Sequence, residues 1–481
     1  MKEHSNKDYW LYIIWIVYAI FVGIAISKHE PWFDEAQCWL LARDASLMDL
    51  LTKYLRYDGS TGLWFLILFV PSKLNFPYYS MNIISGIFAT IGVYLLLRYS
   101  PFPLVIKILM PFSFFIFFQY GVIARSYVLL PILLFMIAKI YENKTEKVYL
   151  FIFYLCLIAN VNVHGLLIAI SIFFIHIIDL TGEWGNLDRL LKIKQVKAYS
   201  IFLIIVILLI LQLWLPRDLV NFAPRYIFGI DNFIATSREM INNSFTENIY
   251  ISTLIFITSL FWFLQKRLLS LYLILILPML ILFSVIYRNV WHEGILFLIW
   301  IFVMWISFEP KPTNNCHNLV DKLLKREKNF IVLLMIIVLS FHIHWAFNSI
   351  RYDFLNSYSA SYDVANYIKT NNLEEKKIYA TSFHAISILP YFDNNIFSNY
   401  NNKQKPCFWL WSTKNNMIQD IKKIIKDKPD LIIIGVKFKG QEKLPVIPQY
   451  KFVGMFDGNI YWKNRILEKD SFGLFRREQS P

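Results

Sequence analysis

Long apolar segments constrain this chain more than any other feature. The sequence is 57% hydrophobic and 17% charged, a more apolar balance than that of ordinary globular domains. Eleven apolar runs account for it, at residues 9–27, 79–97, 101–118, 122–138, 148–159, 166–178, 201–215, 250–264, 268–286, 295–306 and 330–347. Several approach the ~20 residues that cross a bilayer core. We therefore predict a mainly α fold, a polytopic transmembrane helical bundle of about eleven spans.

Basic residues predict how these spans are oriented. The formal net charge is +14, and an excess of lysine and arginine marks cytoplasmic loops. Alternate threading of the runs places the basic clusters on one side: Lys2 and Lys7; Lys139, Lys144 and Lys147; Arg189, Lys192, Lys194 and Lys197; Lys266 and Arg267; Lys311, Lys322, Lys325, Arg326 and Lys328. The pattern predicts a cytoplasmic N-terminus and an extracytoplasmic C-terminus, and it argues against a nucleic-acid partner. The first run exceeds a signal-peptide core in length, so we expect it to remain as an anchor.

The chain divides into two predicted regions. Residues 1–350 form the membrane module, whose first extracytoplasmic loop covers residues 28–78. Within that loop, Ser46-Leu-Met-Asp49 predicts a capped interfacial helix, and residues 62–74 are too short for a span and predict an interfacial or re-entrant segment. Residues 351–481 are predicted to form a small soluble α/β domain outside the membrane.

Local patterns predict the elements of that C-terminal domain. Helices are expected at residues 363–370 and 417–426, and strands at residues 377–381, 431–435, 450–456 and 459–463. Asp457-Gly458 between the last two strands predicts a hairpin. The four cysteines show neither a disulfide pattern nor metal-ligand spacing.

Two adjacent acids, Asp34 and Glu35, follow the first run in the stretch HEPWFDEAQCWLLARD. The spacing of Asp34 and Gln37 predicts a helix start, with Asp34 as the N-cap and Glu35 in the first turn. A functional interpretation is equally open at this point. A carboxylate at the mouth of an apolar bundle is partly desolvated and can serve as a general base.

Two arginine motifs are predicted at the same outer face. Arg125 stands before Ser126 and Tyr127, while Arg288 and His292 lie in one short turn. Arg125 is either an interfacial side chain, with Tyr127 in the aromatic belt, or a fork for phosphate oxygens. Because the turn of Arg288 and His292 shares this face, an anion-binding pocket is favoured there over a solvated turn.

Three more polar residues are predicted at this face. His164 ends one turn between spans, and such a histidine is more often a hydrogen-bonded structural residue than a base or ligand. Arg56 and Asp58 lead into residues 62–74, and they are the residues we single out in an otherwise solvated loop.

Taken together, these motifs resemble the GT-C superfamily of polyprenyl-phosphate-sugar-dependent glycosyltransferases. The similarity is carried by Glu30-Pro-Trp-Phe-Asp-Glu-Ala-Gln37, Ala124-Arg-Ser-Tyr127, Val163-His-Gly165 and the turn of Arg288 and His292. It covers roughly residues 9–300 and looks closest to protein O-mannosyltransferases, lipid A aminoarabinose transferases and their bacterial relatives.

The resemblance implies roles for individual residues. Asp34 would be the catalytic carboxylate that deprotonates an acceptor hydroxyl, and Glu35 would support it. Arg125 and Arg288 would contact the donor phosphate. The other candidates for binding substrate or lipid phosphate are Tyr127, His292, His164, Arg56 and Asp58. Many relatives carry a Gly-His-Pro-Pro-like stretch where this chain reads Asp58-Gly-Ser-Thr-Gly-Leu63, so the role of that histidine is not carried over.

These roles predict an enzyme, an inverting glycosyltransferase in a bacterial cell membrane that transfers a hexosyl or pentosyl group. Its expected partners are a polyprenyl-phosphate-linked sugar donor, a lipid, glycan or protein acceptor, and membrane lipids. The leaving group is already a phosphate anion and needs cations rather than a general acid. No cofactor is required, and a divalent metal at the paired acids is compatible with the chemistry but not demanded by it.

Two other classes of function remain open from the sequence. A transporter or flippase of glycolipid intermediates would place charged groups at mid-membrane along a path that opens to both sides. A non-catalytic assembly protein would use the C-terminal domain as a binding module. The clustering of unusual polar residues at one face favours the enzyme over the transporter.

Overall fold

Eight helices in the computed structural model are long and apolar enough to cross a membrane. The structure describes residues 9–220, 229–309, 318–415, 417–418, 420–437 and 444–478, and predictions that rest on Lys2, Lys7, Lys311 or Cys316 lie outside them. Within the described residues, the eight candidate spans are Tyr9–Ile26, Ser80–Tyr99, Leu104–Val122, Ser126–Asn143, Val163–Gly182, Arg189–Gln212, Val290–Phe308 and Arg326–Leu355. The prediction of a mainly helical membrane protein is thereby confirmed.

The helices follow the apolar runs closely. In chain order they are α1 (Tyr9–Ile26), α2 (Phe33–Asp44), α3 (Leu47–Asp49), α4 (Leu55–Asp58), α5 (Leu63–Lys73), α6 (Ser80–Tyr99), α7 (Leu104–Leu109), α8 (Leu129–Ile140), α9 (Val148–Ala159), α10 (Val163–Glu183), α11 (Arg189–Gln212), α12 (Ile230–Phe245), α13 (Ile249–Gln265), α14 (Leu269–Val285), α15 (Glu293–Phe308), α16 (Asn318–Leu355), α17 (Ser361–Thr370) and α18 (Ile421–Lys426). Helices α12 and α13 form a pair bent by 92°.

The number of eleven spans stays a prediction. Each of the eleven runs falls on a helical segment, but the run at residues 148–159 forms α9 with 12 residues, and the run at residues 268–286 forms α14 with 17. Both are shorter than the ~20 residues that cross a bilayer core unaided. Helix α15 is the centre of the bundle, because all of its residues are buried.

The first loop folds largely as its sequence predicts. Ser46 caps α3, and its hydroxyl accepts a hydrogen bond from the backbone of Asp49 at 3.1 Å. A π-helical turn, Leu50–Tyr54, then leads into α4. Helix α5 has 11 residues with Pro71 inside it, and it packs beside α2. The loop is therefore a helical layer over one end of the bundle.

Where the structure describes the C-terminal region, it contains six strands: β1 (Ile378–Ala380), β2 (Leu431–Val436), β3 (Tyr450–Phe456), β4 (Asn459–Trp462), β5 (Arg465–Lys469) and β6 (Ser471–Arg477). Four of them form a sheet in the order β1-β2-β6-β3, in which β1 and β2 are parallel and the other pairs antiparallel. The small sheet predicted for this region is present. Helix α18 is shorter than predicted because Asp420 caps it, accepting from the backbone of Lys422 at 2.9 Å.

The predicted hairpin at Asp457-Gly458 is wrong. Strand β3 pairs with β6, and β4 pairs with β5 across Lys463 and Asn464. The physical reason is the surroundings of Gly458, where an added Cβ would lie 2.5 Å from the backbone of Ala360 and of Asp470. The glycine therefore permits a close crossing of backbones, and the chain leaves β3 for a second, two-stranded sheet.

A continuous core joins the bundle to the C-terminal region. One cluster of buried side chains runs from α1 and α15 through Tyr358 and Phe397 to Trp462. His29 at the end of α1 packs edge-on against Tyr358 with a centroid distance of 4.8 Å. The C-terminal region thus lies directly over the end of the bundle that carries the first loop.

Candidate functional site

An ion pair between Asp34 and Arg125 forms the centre of the candidate site. The Nη1 atom of Arg125 lies 2.7 Å from Oδ2 of Asp34, and the two side chains are 21% and 25% exposed. Arg125 stands in an extended link, with φ −130° and ψ 166°, between two helical turns. Burial disfavours charge on Arg125, but the Asp34 carboxylate outweighs it and raises the pKa of the guanidinium. The pair is therefore partly open to ligands.

The start of α2 differs from the sequence prediction in the roles of the two acids. Helix α2 begins at Phe33, with Trp32 as its N-cap. Glu35 accepts from the backbone of Trp32 at 3.2 Å, whereas the carboxylate of Asp34 is directed to Arg125. The prediction that Asp34 is the N-cap is therefore wrong, whereas Glu35 lies in the first turn as predicted. Asp34 is the acid left for other chemistry.

Glu35 is a fully buried structural hub. Its Oε1 atom accepts from the backbone of Ala124 at 2.7 Å and from Asn82 at 3.1 Å. Its Oε2 atom is 3.0 Å from Nε2 of His29 and 3.2 Å from the backbone nitrogen of Trp32. Two of these contacts lie within the first loop and two reach distant parts of the chain, so Glu35 holds the loop, α6 and the residue before Arg125 in register. Glu35 supports Asp34 by position and is shielded from solvent itself.

His29 completes this buried network. Its Nδ1 atom lies 2.9 Å from Oδ2 of Asp353 on α16, opposite its contact with Glu35. Burial disfavours the charged imidazole, but Asp353 and Glu35 outweigh that effect and raise the pKa of His29 to about 10. Nearby, burial raises the pKa of Glu30 to about 8, while its carboxyl accepts a hydrogen bond from the backbone of Tyr362.

These two shifts predict that stability falls at alkaline pH. His29 contributes stability below its ordinary pKa of 6.5 and loses it as pH rises through about 10. The buried carboxyl of Glu30 binds a proton that the unfolded chain releases near 4.5, so stability also falls as pH rises toward about 8. We expect the melting temperature in detergent to decrease from about pH 5 to about pH 10. In Glu30→Gln the decrease between about pH 5 and about pH 8 should be smaller, and an unchanged slope would contradict the assignment.

Asp58 brings a second carboxyl to the same place. It ends α4, just before Gly59 in a left-handed conformation. Burial, and next the charge of Asp34, raise the pKa of Asp58 to about 6, against an opposing effect of Arg125. The side chains of Gln37 and Ser60 act in the opposite direction and lower the pKa of this carboxyl. Asp58 can therefore hold or release a proton near neutral pH.

An aromatic layer lines the other side of Arg125. The guanidinium lies 5.3 Å from the ring centroid of Tyr127, which is 6.2 Å from His164 and 6.4 Å from His292. The two histidine rings are 4.4 Å apart. The buried Nδ1 atom of His164 has no hydrogen-bond partner among the described residues, whereas that of His292 accepts from the backbone of Asn289 at 3.1 Å. His164 therefore offers a polar atom to a ligand.

One predicted phosphate contact, Arg288, is directed away from this cluster. Arg288 pairs with Glu239 at 2.8 Å, and both side chains are substantially exposed. Its further contact, at 3.5 Å, is with Thr236 on α12. Arg56 has a buried Nε atom that makes no hydrogen bond within the described residues. The structure thus joins Asp34, Asp58, Arg125, Tyr127, His164 and His292, and it directs Arg288 toward α12.

Several residues of the site escape prediction from sequence. Gln37 bonds to the C-terminal region through both amide atoms, at 2.8 Å each. Lys463, from the turn between β4 and β5, is buried and lies 2.9 Å from Glu293, the residue after His292. A buried lysine and glutamine carry no sequence signal, because their partners are distant in the chain. His29 does carry one, since it stands in the quoted stretch with two acids.

The described residues contain no group of three or more histidine, cysteine, aspartate or glutamate side chains arranged to hold a metal ion. At the site, Asp34 and Arg125 act on the pKa of Asp58 in opposite directions. Among the described residues, Cys38, Cys156 and Cys407 are free thiols.

The fold and site define a polytopic, mainly helical membrane protein with a polar cluster at the end of the bundle that the C-terminal region covers. Comparison with known proteins adds no family to this description: no family model, curated protein or solved structure matches the chain.

Proposed function

We propose that this protein is an integral membrane glycosyltransferase that moves a sugar from a polyprenyl-phosphate donor to an acceptor hydroxyl. The observation that carries the proposal is the partly exposed pair of Asp34 and Arg125 at the mouth of the bundle. An acid for proton transfer and a guanidinium for phosphate stand there side by side. The basic clusters at the opposite loops favour placing this mouth on the extracytoplasmic face, and the eleven apolar runs favour the full set of spans.

The reaction follows from the chemistry of the two groups. The donor phosphate competes for the guanidinium fork of Arg125, which frees the Asp34 carboxylate. The acceptor oxygen forms a bond to the anomeric carbon while the bond from that carbon to the phosphate oxygen breaks. Asp34 takes the acceptor proton, and polyprenyl phosphate leaves with its charge stabilised by Arg125. Attack from the face opposite the phosphate inverts the anomeric centre.

Neighbouring residues fit the remaining parts of the substrates. Asp58 adds a carboxyl for sugar or acceptor hydroxyls, and His164 offers its unpartnered nitrogen. Tyr127 stacks on Tyr120 with a centroid distance of 5.3 Å. Tyr120 also lines a small apolar cavity of about 10 Å³, whose other walls are Ala89, Gly92, Val93, Ile116, Val128 and Pro131.

The direct test is a panel of donors. Purified protein in lipid vesicles is incubated with polyprenyl-phosphate sugars and a mixture of lipid, glycan and peptide acceptors, and release of polyprenyl phosphate is measured. We expect release with at least one donor that depends on an acceptor. Movement of a labelled glycolipid across the vesicle membrane without any bond cleavage would instead support a flippase.

Arg125→Lys is expected to weaken donor use selectively. Lysine keeps the charge but loses the two-pronged contact with phosphate, so the donor KM should rise about 10- to 100-fold, as for loss of a hydrogen bond to a charged group. Arg288→Lys is the matched control, because Arg288 pairs with Glu239 at the exposed rim. It should change the donor KM less than about twofold. Equal effects of the two substitutions on the donor KM would indicate that Arg288 also binds the phosphate, and they would contradict this assignment.

A further inference from the structure

A segment of the C-terminal region runs along the loop that carries the candidate site. We call residues 407–413 the clasp. The backbone nitrogen of Cys407 donates to Oδ2 of Asp44 at 2.7 Å, and Phe408 packs edge-on against Tyr54 with a centroid distance of 4.7 Å. Both partners belong to the first loop. The clasp therefore begins by binding the far end of α2 and the turn that precedes α4.

Gln37 makes the central contact with the clasp. Its Nε2 atom donates to the carbonyl oxygen of Trp409 at 2.8 Å, and its Oε1 atom accepts from the nitrogen of the same residue at 2.8 Å. The side chain is 4% exposed. A glutamine amide paired in both directions with one backbone residue fixes distance and orientation together. Gln37 lies one helical turn after Asp34 on α2.

Gln37 also reaches the site itself. Its side chain lies close enough to the carboxyl of Asp58 to lower the pKa of that acid, and it shares α2 with Asp34. A second contact of the clasp reaches Tyr57, the residue before Asp58, through a shared carboxylate. Ser412 donates to Oδ2 of Asp218 at 2.7 Å, and the hydroxyl of Tyr57 donates to Oδ1 of the same carboxylate at 2.8 Å. The clasp thus holds α2 through Gln37 and α4 through Asp218.

We propose that Gln37 is a positioning residue through which the clasp of the C-terminal region sets the places of Asp34 and Asp58, so that the site is complete only when this region is docked. The inference rests on the proposed glycosyl transfer for its catalytic consequence. The docking itself stands on the contacts alone. Nothing in it requires Gln37 to touch substrate.

The first measurement reports docking without any substrate. The thiol of Cys407 is fully buried in the clasp, so its rate of reaction with a maleimide, followed on the Cys407 peptide by mass spectrometry, reports release of the clasp. We expect Gln37→Met to raise this rate about tenfold or more, because methionine leaves the two polar groups of Trp409 unpaired. Gln195→Met is the control. Gln195 is an equally buried glutamine that donates to the carbonyl of Thr145, away from the clasp, and this variant should label like the wild type.

The second measurement reports positioning. In Gln37→Met we expect kcat to fall about a hundredfold, as for a misplaced catalytic group, while the donor KM changes less than about twofold because Arg125 is untouched. Besides burial, four groups shift the pKa of Asp58: Asp34, Arg125, Gln37 and Ser60. Gln37 lowers the pKa of Asp58, so its loss should move the acid limb of the activity profile to higher pH.

Gln37→Glu supplies a rescue that size alone cannot explain. An ionised glutamate has no donor for the carbonyl of Trp409, whereas a protonated one has an O–H donor and a carbonyl acceptor. The activity of Gln37→Glu relative to wild type should therefore rise as pH falls from about 8 to about 5. If this activity ratio is independent of pH, Gln37 acts only by filling space.

The outcomes separate the two proposals. Unchanged labelling of Cys407 in Gln37→Met overturns the inference, whatever the activity of the wild type. Faster labelling with an unchanged kcat also overturns it, because the clasp would then dock without positioning the site. Absence of transfer by the wild type contradicts the proposed function and the catalytic consequence drawn from it, while the labelling result still decides whether Gln37 holds the clasp.

Discussion

Asp34→Asn is expected to lower sugar transfer by about 10³-fold, within the range for removal of a general base. Asparagine has nearly the same shape and cannot take a proton at neutral pH. The structure sharpens this test, because Glu35 rather than Asp34 closes the start of α2. The substitution therefore removes the carboxylate without removing a helix cap. Polyprenyl phosphate release under saturating donor and acceptor is the measurement.

The control for this variant is Asp49→Asn. Asp49 lies in the same loop and forms an exposed pair with Lys53 at 2.6 Å, so it should retain nearly full activity. Both variants should keep the melting temperature of the wild type within a few degrees. Full transfer by purified Asp34→Asn would remove the assignment of the base, and equal losses in the two variants would point to a general effect of charge in the loop.

Lys463→Met is expected to destabilise the protein by about 3–5 kcal/mol, the usual effect of breaking one side of a buried ion pair. Lys463 is 1% exposed and lies 2.9 Å from Glu293 and 3.0 Å from Glu247. Its ammonium also donates to the carbonyl of Asn243 at 2.7 Å. Removing it leaves Glu293, 2% exposed, without its cation. Denaturation in detergent, followed by tryptophan fluorescence, is the measurement.

A double variant isolates the cause. Glu293→Gln removes the orphaned charge and should restore a substantial part of the loss in Lys463→Met, because a neutral amide is far less costly to bury. Lys53→Met is the surface control and should leave the free energy of unfolding nearly unchanged. A double variant no more stable than Lys463→Met would show that lost packing of the lysine, including its contact with Trp345 at 4.2 Å, dominates instead.

Elements that depend on short-range pattern were predictable. The apolar runs coincide with helices because a segment in lipid must satisfy its backbone internally. Strand β3 matches the predicted residues 450–456, and Ser46 caps α3 as its spacing with Asp49 indicates. The hairpin at Asp457-Gly458 failed because the turn signal is local, whereas Gly458 is needed for a crossing with Ala360 and Asp470.

The candidate site, too, was only partly predictable from the sequence. The sequence singled out Asp34, Arg125, Tyr127, His164 and His292, and the structure brings them together across several helices. Their residue types at span ends were a sufficient signal. The sequence could not separate the role of Asp34 from that of its neighbour, because that choice depends on partners that are far away in the chain.

The sequence by itself determined the class of protein, the placement of its helices and the residues worth testing, because hydropathy, helix caps and charge asymmetry act over short stretches. Only the tertiary structure decided which acid is free. Glu35 is enclosed by His29, Asn82 and the backbone of Ala124, while Asp34 faces Arg125. Tertiary packing also made the C-terminal region part of the site, since Gln37 and Lys463 gain their roles from partners hundreds of residues away. Those contacts follow from the packing of distant segments, which no local pattern records.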